Sequence, residues 1–532
     1  MMYRNKSVSN HKFSMIPRAD VPRSKFTMQS GHKTTFDAGF LVPVYVDEVL
    51  PGDSFDLKMT AFCRLSTPIF PLMDNMYLDT FFFYVPNRLL WSKWPRFMGE
   101  QLSPGSSTDF LVPQMVTPAG GYATNSLQDY LGLPTVGQLN VSATVSHSAL
   151  PLRAYNLIYN EWFRDENLQN AVSTTTADGP DLFTDYVLLR RGKRHDYFTS
   201  CLPSPQKGTA ASLPLGTRAP IFADTAATAN TFIHVLNNAG SPRNVDVNST
   251  PNSIRIQTGA PQAGSALLYA DLTNATASTI NDLRQAFLLQ SFLEKDSRGG
   301  TRYTEIIRNH FGVTPPDYRL QRPEYLGGGS TPININPVAQ TSATSVNGSN
   351  TPLGNLGAVG TGLANRHGFK AGFVEHGVVI GLACVRADMT YQQGLHRMWS
   401  RKTRYDFYWP VFANLGEQAV LNKEIFIKGN ANDDLVFGYQ ERWGEYRYKQ
   451  SQVSSWFRST SATPLDSWHL AQNFSALPTL GAGFIVENPP VSRVVAVGDA
   501  ANGKQFLFDA FFNVDAVRPM PVYSVPVSLG RF

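Results

Sequence analysis

Alternating apolar and polar residues form the clearest pattern along the chain, and the alternation is most regular over residues 55–65. Every second position there is apolar, whereas most positions between them are polar or charged. A period of two predicts a β-strand with one buried face. Residues 76–85 differ, because both sets of alternating positions are mostly apolar. Such a strand must be covered on both faces, so we expect it inside a large β-sandwich with further protein over its second face.

Other segments extend this pattern of strands and interrupt it with helices. Apolar runs predict further strands at residues 38–46, 372–386, 493–497 and 505–514. Apolar residues spaced three and four apart predict helices at residues 152–164, 278–295 and 304–311, the last closed by Gly312. Residues 327–368 are instead rich in glycine, threonine and asparagine, and we expect them to form a long loop that lies over neighbouring subunits.

The composition indicates a chain whose surface is largely covered by other protein. Only 16% of its residues are charged, against roughly 25% in an ordinary soluble domain, while 12% are aromatic. Permanent interfaces lose charge and gain aromatic residues, so we expect an obligate assembly. The sequence contains no run of about 18 apolar residues, so no membrane span is predicted. The first residues lack the apolar core of a secretory signal.

The sequence gives no sign of catalysis or of a bound cofactor or metal. Cys63, Cys201 and Cys384 lie far apart among apolar neighbours, which predicts buried free thiols made in a reducing compartment. No HExxH, GxSxG or GxGxxG motif occurs. Residues 498–504 fit GxxxxGK, but Gln505 replaces the magnesium-binding Ser or Thr, and a strand rather than a helix is predicted to follow. We predict no catalytic, cofactor-binding or metal-binding residue.

Basic residues are concentrated in the first 33 positions. This segment contains seven lysine and arginine residues and one acid, Asp20, which gives it a net charge of +6. The whole chain carries +5. Serine, asparagine and proline are common between the basic residues, which predicts an extended arm rather than a folded domain. Such an arm can contact a polyanion, although a solvated terminus is the alternative. The candidate contacts are Arg4, Lys6, Lys12, Arg18, Arg23 and Lys25.

Two later segments combine cations with aromatic residues. The first holds Arg190, Arg191, Lys193 and Arg194, followed by Tyr197 and Phe198. The second holds Arg401, Lys402 and Arg404, interleaved with Trp399, Tyr405 and Tyr408. Phosphate-binding cations beside base-stacking rings suit single-stranded nucleic acid. A salt-bridge patch between subunits is an equal alternative for the first segment, and an aromatic interface anchored by arginine is an equal alternative for the second.

Several segments resemble the major capsid proteins of gokushoviruses, small tailless phages of the microvirus family with circular single-stranded DNA. The similar segments are MIPRAD (15–20), TFFFYVPNRLLW (80–91), RGKRHDYFTSCLP (191–203), RYTEIIRNHFG (302–312) and PININPVAQ (332–340). The resemblance runs in order through nearly the whole chain. Residues 203–268, rich in Ala, Thr, Ser, Pro, Asn and Gly, match only in composition and placement.

The resemblance implies an all-β core, an eight-stranded viral jelly roll (a β-sandwich), with large loop and helical insertions. Together with the charge and composition of the segments, it divides the chain into a basic arm (1–33), jelly-roll strands with a helical insertion (34–202), a surface insertion (203–268) and the remaining strands, helices and inter-subunit loops (269–532). It also implies that the surface insertion forms a protrusion at the threefold axis and contacts a host receptor. The candidate receptor-facing residues are Thr231, Phe232, Ile233, Asn237 and Arg243.

The resemblance also implies a set of partners and a location. Sixty copies form a T=1 icosahedral shell around the single-stranded DNA genome, with a small basic internal DNA-binding protein and, during assembly, a scaffolding protein. A host cell-surface receptor is a further partner, and no membrane insertion is implied. The protein belongs in the virion and assembles in the host bacterial cytoplasm. The alternative from aromatic richness alone is a secreted glycan-binding β-sandwich, which the missing signal segment disfavours.

Overall fold

The computed structural model describes residues 22–209, 281–341, 354–496 and 504–523, and the backbone of Ile280 and of five short strands between residues 221 and 270. The chain divides into two compact units, Met1–Pro205 with Thr301–Phe532 and Gln206–Gly300. The larger unit contains the main sheet and the helices that cover it. Among the described residues, no helix has the length and apolar character needed to cross a membrane.

The strands are β1 (Ser24–Phe36), β2 (Val42–Val49), β3 (Ser54–Leu65), β4 (Met76–Pro86), β5 (Gln114–Val116), β6 (Ser146–Ser148), β7 (Ile221–Ala223), β8 (Ile233–Leu236), β9 (Pro242–Asn248), β10 (Ser253–Ile256), β11 (Leu268–Ala270), β12 (Glu324–Ala339), β13 (Leu356–Gly372), β14 (Gly377–Ala387), β15 (Glu417–Leu421), β16 (Val436–Glu441) and β17 (Phe506–Arg518). The α-helices are α1 (Asn87–Leu90), α2 (Trp94–Phe97), α3 (Leu127–Tyr130), α4 (Leu150–Ile158), α5 (Ile280–Arg298), α6 (Tyr303–Phe311), α7 (Asp317–Leu320), α8 (Asn422–Ile425) and α9 (Ala482–Ile485). A π-helical turn, Tyr159–Phe163, continues α4.

Eight strands of the larger unit form one antiparallel sheet in the order β1-β17-β3-β13-β12-β4-β14-β2. The sheet has two halves, β1-β17-β3-β13 and β4-β14-β2, and β12 joins them. Residues 334–339 of β12 pair with β13, whereas residues 324–333 pair with β4. The edge strands β1 and β2 approach each other, so the sheet is nearly closed. Its halves face each other across one apolar core, as in a jelly-roll β-sandwich. The predicted all-β fold with helical insertions is therefore confirmed.

Strands β3 and β17 supply much of the core between the two halves. The apolar positions that alternate along β3 from Phe55 to Leu65 are at most 1% exposed, whereas most of the residues between them are exposed. Strand β17 pairs with β3 along its length, with Phe506 opposite Leu65, and its own alternate residues are buried in the same core. The strand predicted at residues 55–65 is confirmed, because its period of two matches one buried face.

Strand β4 is covered on both faces, as its two apolar faces predict. Met76, Leu78 and Phe82 point into the core between the halves of the sheet. Phe83 and Val85 point the other way, into a second core formed with the helical layer, which includes α1 and α4. The neighbouring strand β14 is buried at every position for the same reason. The predicted cover over the second face is therefore the helical insertion between β4 and β12.

A buried ion pair holds this helical layer together. Arg153 of α4 is 1% exposed and donates from Nε and Nη2 to the two carboxylate oxygens of Asp181, at 2.8 and 2.6 Å. Its third nitrogen donates to the Leu90 carbonyl at 2.9 Å. The Tyr186 hydroxyl donates to the same carboxylate at 2.5 Å. Both charges are therefore buried with hydrogen-bond partners, which a buried charge requires.

Two sequence predictions of secondary structure are wrong. The long loop expected at residues 327–368 is mostly β12 and β13, two central strands of the sheet. Their glycines lower strand propensity but let neighbouring backbones pack closely, so the composition is misleading. The strand expected at residues 493–497 is not found over its described part, because a 3-10 turn, Val491–Arg493, precedes a single bridge between Val495 and Pro68.

The other predicted elements and the three thiols agree with the structure. Strands β2, β14 and β17 overlap the predicted runs, and α4, α5 and α6 overlap the predicted helices. Gly312 ends α6 in the left-handed conformation, with φ of 71°. The cysteines Cys63, Cys201 and Cys384 are free and buried, as expected. Burial raises the pKa of the Cys63 thiol to about 12, so it stays protonated and unreactive at neutral pH.

Candidate nucleic-acid surface

The first cation cluster is built mainly into the fold. Residues 190–193 run as an extended segment, where Arg191 and Lys193 bond through their backbones to Gly39, Ile485 and Glu487. The Arg190 guanidinium donates to the carbonyls of Ala38 and Glu487 and lies 3.9 Å from the centre of the Phe40 ring. These contacts give the Arg190 charge partners inside the larger unit.

Two more residues of this cluster are also engaged inside the larger unit. Arg191 pairs with Asp79 at 2.7 Å, and Arg386 pairs with the same carboxylate at 2.8 Å. Lys193 is 9% exposed, and its ammonium lies 4.2 Å from the centre of the Phe484 ring. Burial lowers the pKa of Lys193 to about 8. Neither side chain is free to meet a phosphate group in solvent.

Arg194 differs from its three neighbours because it is exposed. Within the described part of the chain, no side-chain hydrogen bond or ion pair holds its guanidinium. The aromatic residues that follow are buried, since Tyr197 is 2% exposed and Phe198 is fully buried in a third core cluster. Of the four cations in this segment, Arg194 alone has the exposure that contact with a polyanion requires.

The second cluster lies at the surface with its aromatic residues. Phe407, Tyr408 and Tyr446 are 50, 47 and 53% exposed. The guanidinium carbon of Arg401 lies 4.4 Å from the Tyr446 ring centre and 5.4 Å from the Phe407 ring centre, while Nη2 donates to Glu445 at 3.0 Å. Arg401 therefore holds the rings in place, a cation–π arrangement that adds rigidity to exposed aromatic side chains.

Lys402 and Arg404 are the exposed cations of this second cluster. Arg404 donates to the Tyr405 hydroxyl at 2.6 Å and lies 4.8 Å from that ring centre. The acid of the segment, Asp406, accepts hydrogen bonds from the backbone of Lys402 and Thr403. These hydrogen bonds lower the pKa of Asp406 and fix the turn that presents the cations.

The structure joins the two clusters through residues 446–449. Tyr446 contacts Arg401 and lies 6.4 Å from Tyr408, ring centre to ring centre. Tyr448 and Lys449 line a cavity together with Arg194. We call the exposed side chains of residues 401–409 and 446–449 the aromatic surface. It combines aromatic rings with exposed cations, the composition expected of a surface that binds single-stranded nucleic acid.

Residues 446–449 were missed in the sequence reasoning. Their signal is present, because the run WGEYRYK at residues 443–449 interleaves two cations with three aromatic residues. Arg447 pairs with Glu441, whereas Lys449 is exposed. The same cation-plus-aromatic criterion applied around Arg401 would have found this segment.

The predicted contacts of the basic arm fall in two groups. Arg4, Lys6, Lys12 and Arg18 lie outside the described residues. Arg23 and Lys25 are exposed, and Lys25 of β1 pairs with Asp515 of β17 at 3.0 Å. The last part of the predicted arm is therefore an edge strand of the main sheet.

The candidate receptor residues lie in the smaller unit. Ile233 belongs to β8 and Arg243 to β9, which pair in a small sheet of order β10-β9-β8. Thr231, Phe232 and Asn237 lie outside the described residues.

No cluster of metal-ligating side chains accompanies these surfaces in the described residues. Among them, no group of three or more histidine, cysteine, aspartate or glutamate side chains could hold a metal ion. Glu424 is buried, and burial raises the pKa of its carboxyl group. Tyr197 and Arg397 bond to that carboxyl group at 2.9 and 3.0 Å, so both contacts are internal to the fold.

Comparisons with known proteins agree with this structural picture. The chain is 46% identical to "Capsid protein VP1" of Bdellovibrio phage phiMH2K, over 98% of the chain and 99% of the relative. It is 44% identical to "Capsid protein VP1" of Chlamydia phage 1, over 98% of each chain. It is 38% identical to "Capsid protein VP1" of Spiroplasma virus 4, over 97% of each chain. The family described as "Capsid protein (F protein)" matches residues 14–528. The chain therefore belongs to this family of phage capsid proteins, among its gokushovirus members.

Proposed function

We propose that the chain is the subunit of a T=1 icosahedral shell of 60 copies that encloses a circular single-stranded DNA genome. Its family membership already makes it a structural protein of the virion that assembles into a multimeric shell. The observation that supports the DNA contact is the aromatic surface, where Lys402, Arg404 and Lys449 accompany exposed rings. Backbone phosphates would meet these cations and bases would stack on the rings.

We also propose which residues contact the DNA. We assign Arg194, Lys402 and Arg404 to the DNA-facing surface, together with the arm residues Arg4, Lys6, Lys12, Arg18, Arg23 and Lys25. Arg401, which is paired with the buried Glu445, holds the exposed rings in place. Arg190, Arg191 and Lys193 are better assigned to folding, since their charges already have partners within the larger unit. A small basic internal protein and a scaffolding protein complete the proposed assembly.

Electron microscopy of particles that carry Arg194→Gln, Lys402→Gln and Arg404→Gln tests this proposal. We expect closed shells of the wild-type size with a reduced amount of nuclease-resistant DNA, because the phosphate contacts are lost while the fold is retained. Shells with Arg308→Gln and Lys370→Gln, two exposed cations outside the aromatic surface, should package DNA normally.

Two results would contradict the proposal. If the wild-type chain gave only monomers or small oligomers under every condition, with and without its scaffolding partner, the shell would be excluded. If the three-cation variant packaged as much DNA as the control, the aromatic surface would not be a DNA contact. A variant with Arg190→Gln, Arg191→Gln and Lys193→Gln should instead lower the yield of folded chain.

We further propose that residues 203–268 contact a host cell-surface receptor. The support is the resemblance to gokushovirus capsid proteins, together with the short strands β7 to β11, which form small sheets separate from the eight-stranded sheet. Insertions outside a core sheet carry recognition in many proteins. Replacing residues 231–237 with a glycine-serine segment should leave shells intact and reduce their adsorption to host cells. Unchanged adsorption would assign the attachment site elsewhere.

A further inference from the structure

A cavity of about 320 Å³ lies beside the aromatic surface in the larger unit. Three segments line it: residues 194–198, the end of β14 with the residues that follow it, and residues 448–451. Ligand pockets in proteins start at about 300 Å³, so this cavity suits one small ligand or one unit of a polymer. The aromatic surface continues directly into it, because Tyr448 and Lys449 belong to both.

The free charge at the cavity is positive. Arg194 and Lys449 are exposed, and neither side chain is held by a hydrogen bond or ion pair to another described residue. Of the two acids in the lining, Asp196 is engaged elsewhere. Asp196 accepts from the backbone of Phe198 and from the Tyr391 hydroxyl, at 2.8 and 3.0 Å. An anionic group can therefore approach the cations without meeting an unpaired carboxylate at Asp196.

The second acid, Asp388, is paired with Arg386 of β14. Its carboxylate lies 3.3 Å from Nη1 of Arg386 and accepts from Asn75 at 3.3 Å. It is still 45% exposed, so one side of the carboxylate can accept a hydrogen bond from a ligand. Carboxylates in nucleic-acid sites accept from exocyclic amino groups of bases. The lining thus offers cations for a phosphate and an acceptor for a base.

Aromatic side chains form the remaining wall. Tyr448 is 38% exposed and lies 6.3 Å from the buried Tyr197, ring centre to ring centre. Tyr197 in turn packs edge-on against Phe198, at 5.3 Å between ring centres. Tyr448 therefore lines the cavity beside buried aromatic side chains. A base can stack on such a ring whatever its sequence.

We infer that this cavity is a nucleotide pocket that takes one nucleotide of the packaged single-stranded DNA. Arg194 and Lys449 meet the backbone phosphates, and Tyr448 stacks on the base. The inference rests on the proposed DNA-packaging function and names a specific subsite for it. Continuity with the aromatic surface favours a DNA strand over a free nucleotide, because a strand anchored in the pocket can continue over Tyr446 and Tyr408.

Fluorescence anisotropy with a labelled ten-residue oligothymidylate and the unassembled full chain tests the pocket. We expect Arg194→Gln with Lys449→Gln to weaken binding and to reduce the slope of log K against log[salt] by about 1.4, because about 0.7 is lost for each phosphate contact. We expect Tyr448→Leu to weaken binding about tenfold without changing that slope, because stacking is not ionic. Tyr448→Phe should restore wild-type affinity.

The control variants distinguish failure of the pocket hypothesis from failure of the proposed DNA contact. Arg308→Gln with Lys370→Gln removes the same charge and should leave the affinity and the salt slope unchanged. If the wild-type chain binds the oligonucleotide and the pocket variants bind equally well, the pocket is refuted while DNA contact elsewhere stands. If the wild-type chain does not bind at all, both the pocket and the aromatic surface are refuted. Competition by thymidine monophosphate as strong as by the oligonucleotide would identify a free-nucleotide site and overturn the strand-binding pocket.

Discussion

At the scale of single residues, charge alone does not indicate where a cation acts in this chain. Arg191 and Arg194 are three positions apart, yet Arg191 pairs with Asp79 inside the fold and Arg194 is exposed. The sequence places both in one basic cluster. The partner that separates them, Asp79, is more than a hundred residues away in β4, and only the sheet brings it near. The roles of such residues therefore could not be assigned from sequence.

The pair Arg153–Asp181 gives a prediction at this scale. Replacing Asp181 with Asn leaves the Arg153 charge buried without compensation, which costs about 3–5 kcal/mol of unfolding free energy. The exposed pair Lys33–Asp509, whose side chains are 79 and 55% exposed, provides the control. Asp509→Asn should change stability by less than about 1 kcal/mol. Urea unfolding of the unassembled chain measures both, and equal effects would show that burial of the pair is unimportant.

The same pair predicts how stability depends on pH. Burial alone would raise the pKa of Asp181, but hydrogen bonds from Arg153 and Tyr186 outweigh it and lower the pKa below its ordinary value. A carboxyl group with a depressed pKa stabilises the fold above its unfolded value of about 4, and this contribution is lost as the pH falls through the folded value. The wild-type chain should therefore lose more stability between pH 5 and pH 2 than Asp181→Asn does.

At the scale of elements, hydrophobic patterning predicted the strands whose side chains make the core. Strands β3, β4 and β17 have period-two or two-faced apolar patterns, and these patterns depend only on which face is buried. Strands β12 and β13 were not predicted, because their packing depends on glycines that allow neighbouring backbones to approach closely. A Cβ atom at Gly328 would overlap the Thr80 carbonyl oxygen, and one at Gly368 would overlap the Leu57 carbonyl oxygen. Close backbone approach leaves no apolar signal in a sequence.

These glycines give a prediction at the scale of elements. Gly328→Ala and Gly368→Ala each place a methyl group against a neighbouring strand, so we expect each to cost about 2–3 kcal/mol or more. Gly357→Ala in β13 is the matched control, since its added Cβ atom would lie at an ordinary 3.7 Å from the Val338 carbonyl oxygen. Thermal unfolding compares the three variants. Equal melting temperatures would show that the strands separate freely at these positions.

At the scale of the whole molecule, the face of the main sheet covered by helices and the exposed aromatic surface lie in different parts of the larger unit. The helical layer closes one outer face of the sheet, and the residues that approach it are buried. The aromatic surface and its cavity are built from the connections after β14 and around β16, outside the main sheet. The sequence indicated the two cation clusters but not their proximity, because residues 446–449 join them only in the folded chain. Fold class was therefore easier to predict than the surface.

The pairing of β1 with β17 sets an order of events during synthesis. Thr27 donates a hydrogen bond to Asp515, a partner 488 positions later in the chain. At about 5–20 residues per second, a ribosome makes the second strand roughly 25–100 s after the first. Until then β1 and the outer side of β3 have no partner, so a nascent or prematurely terminated chain cannot complete the sandwich. Only a chain translated through β17 can therefore pair both β1 and the free side of β3, so incomplete chains should not form a stable subunit.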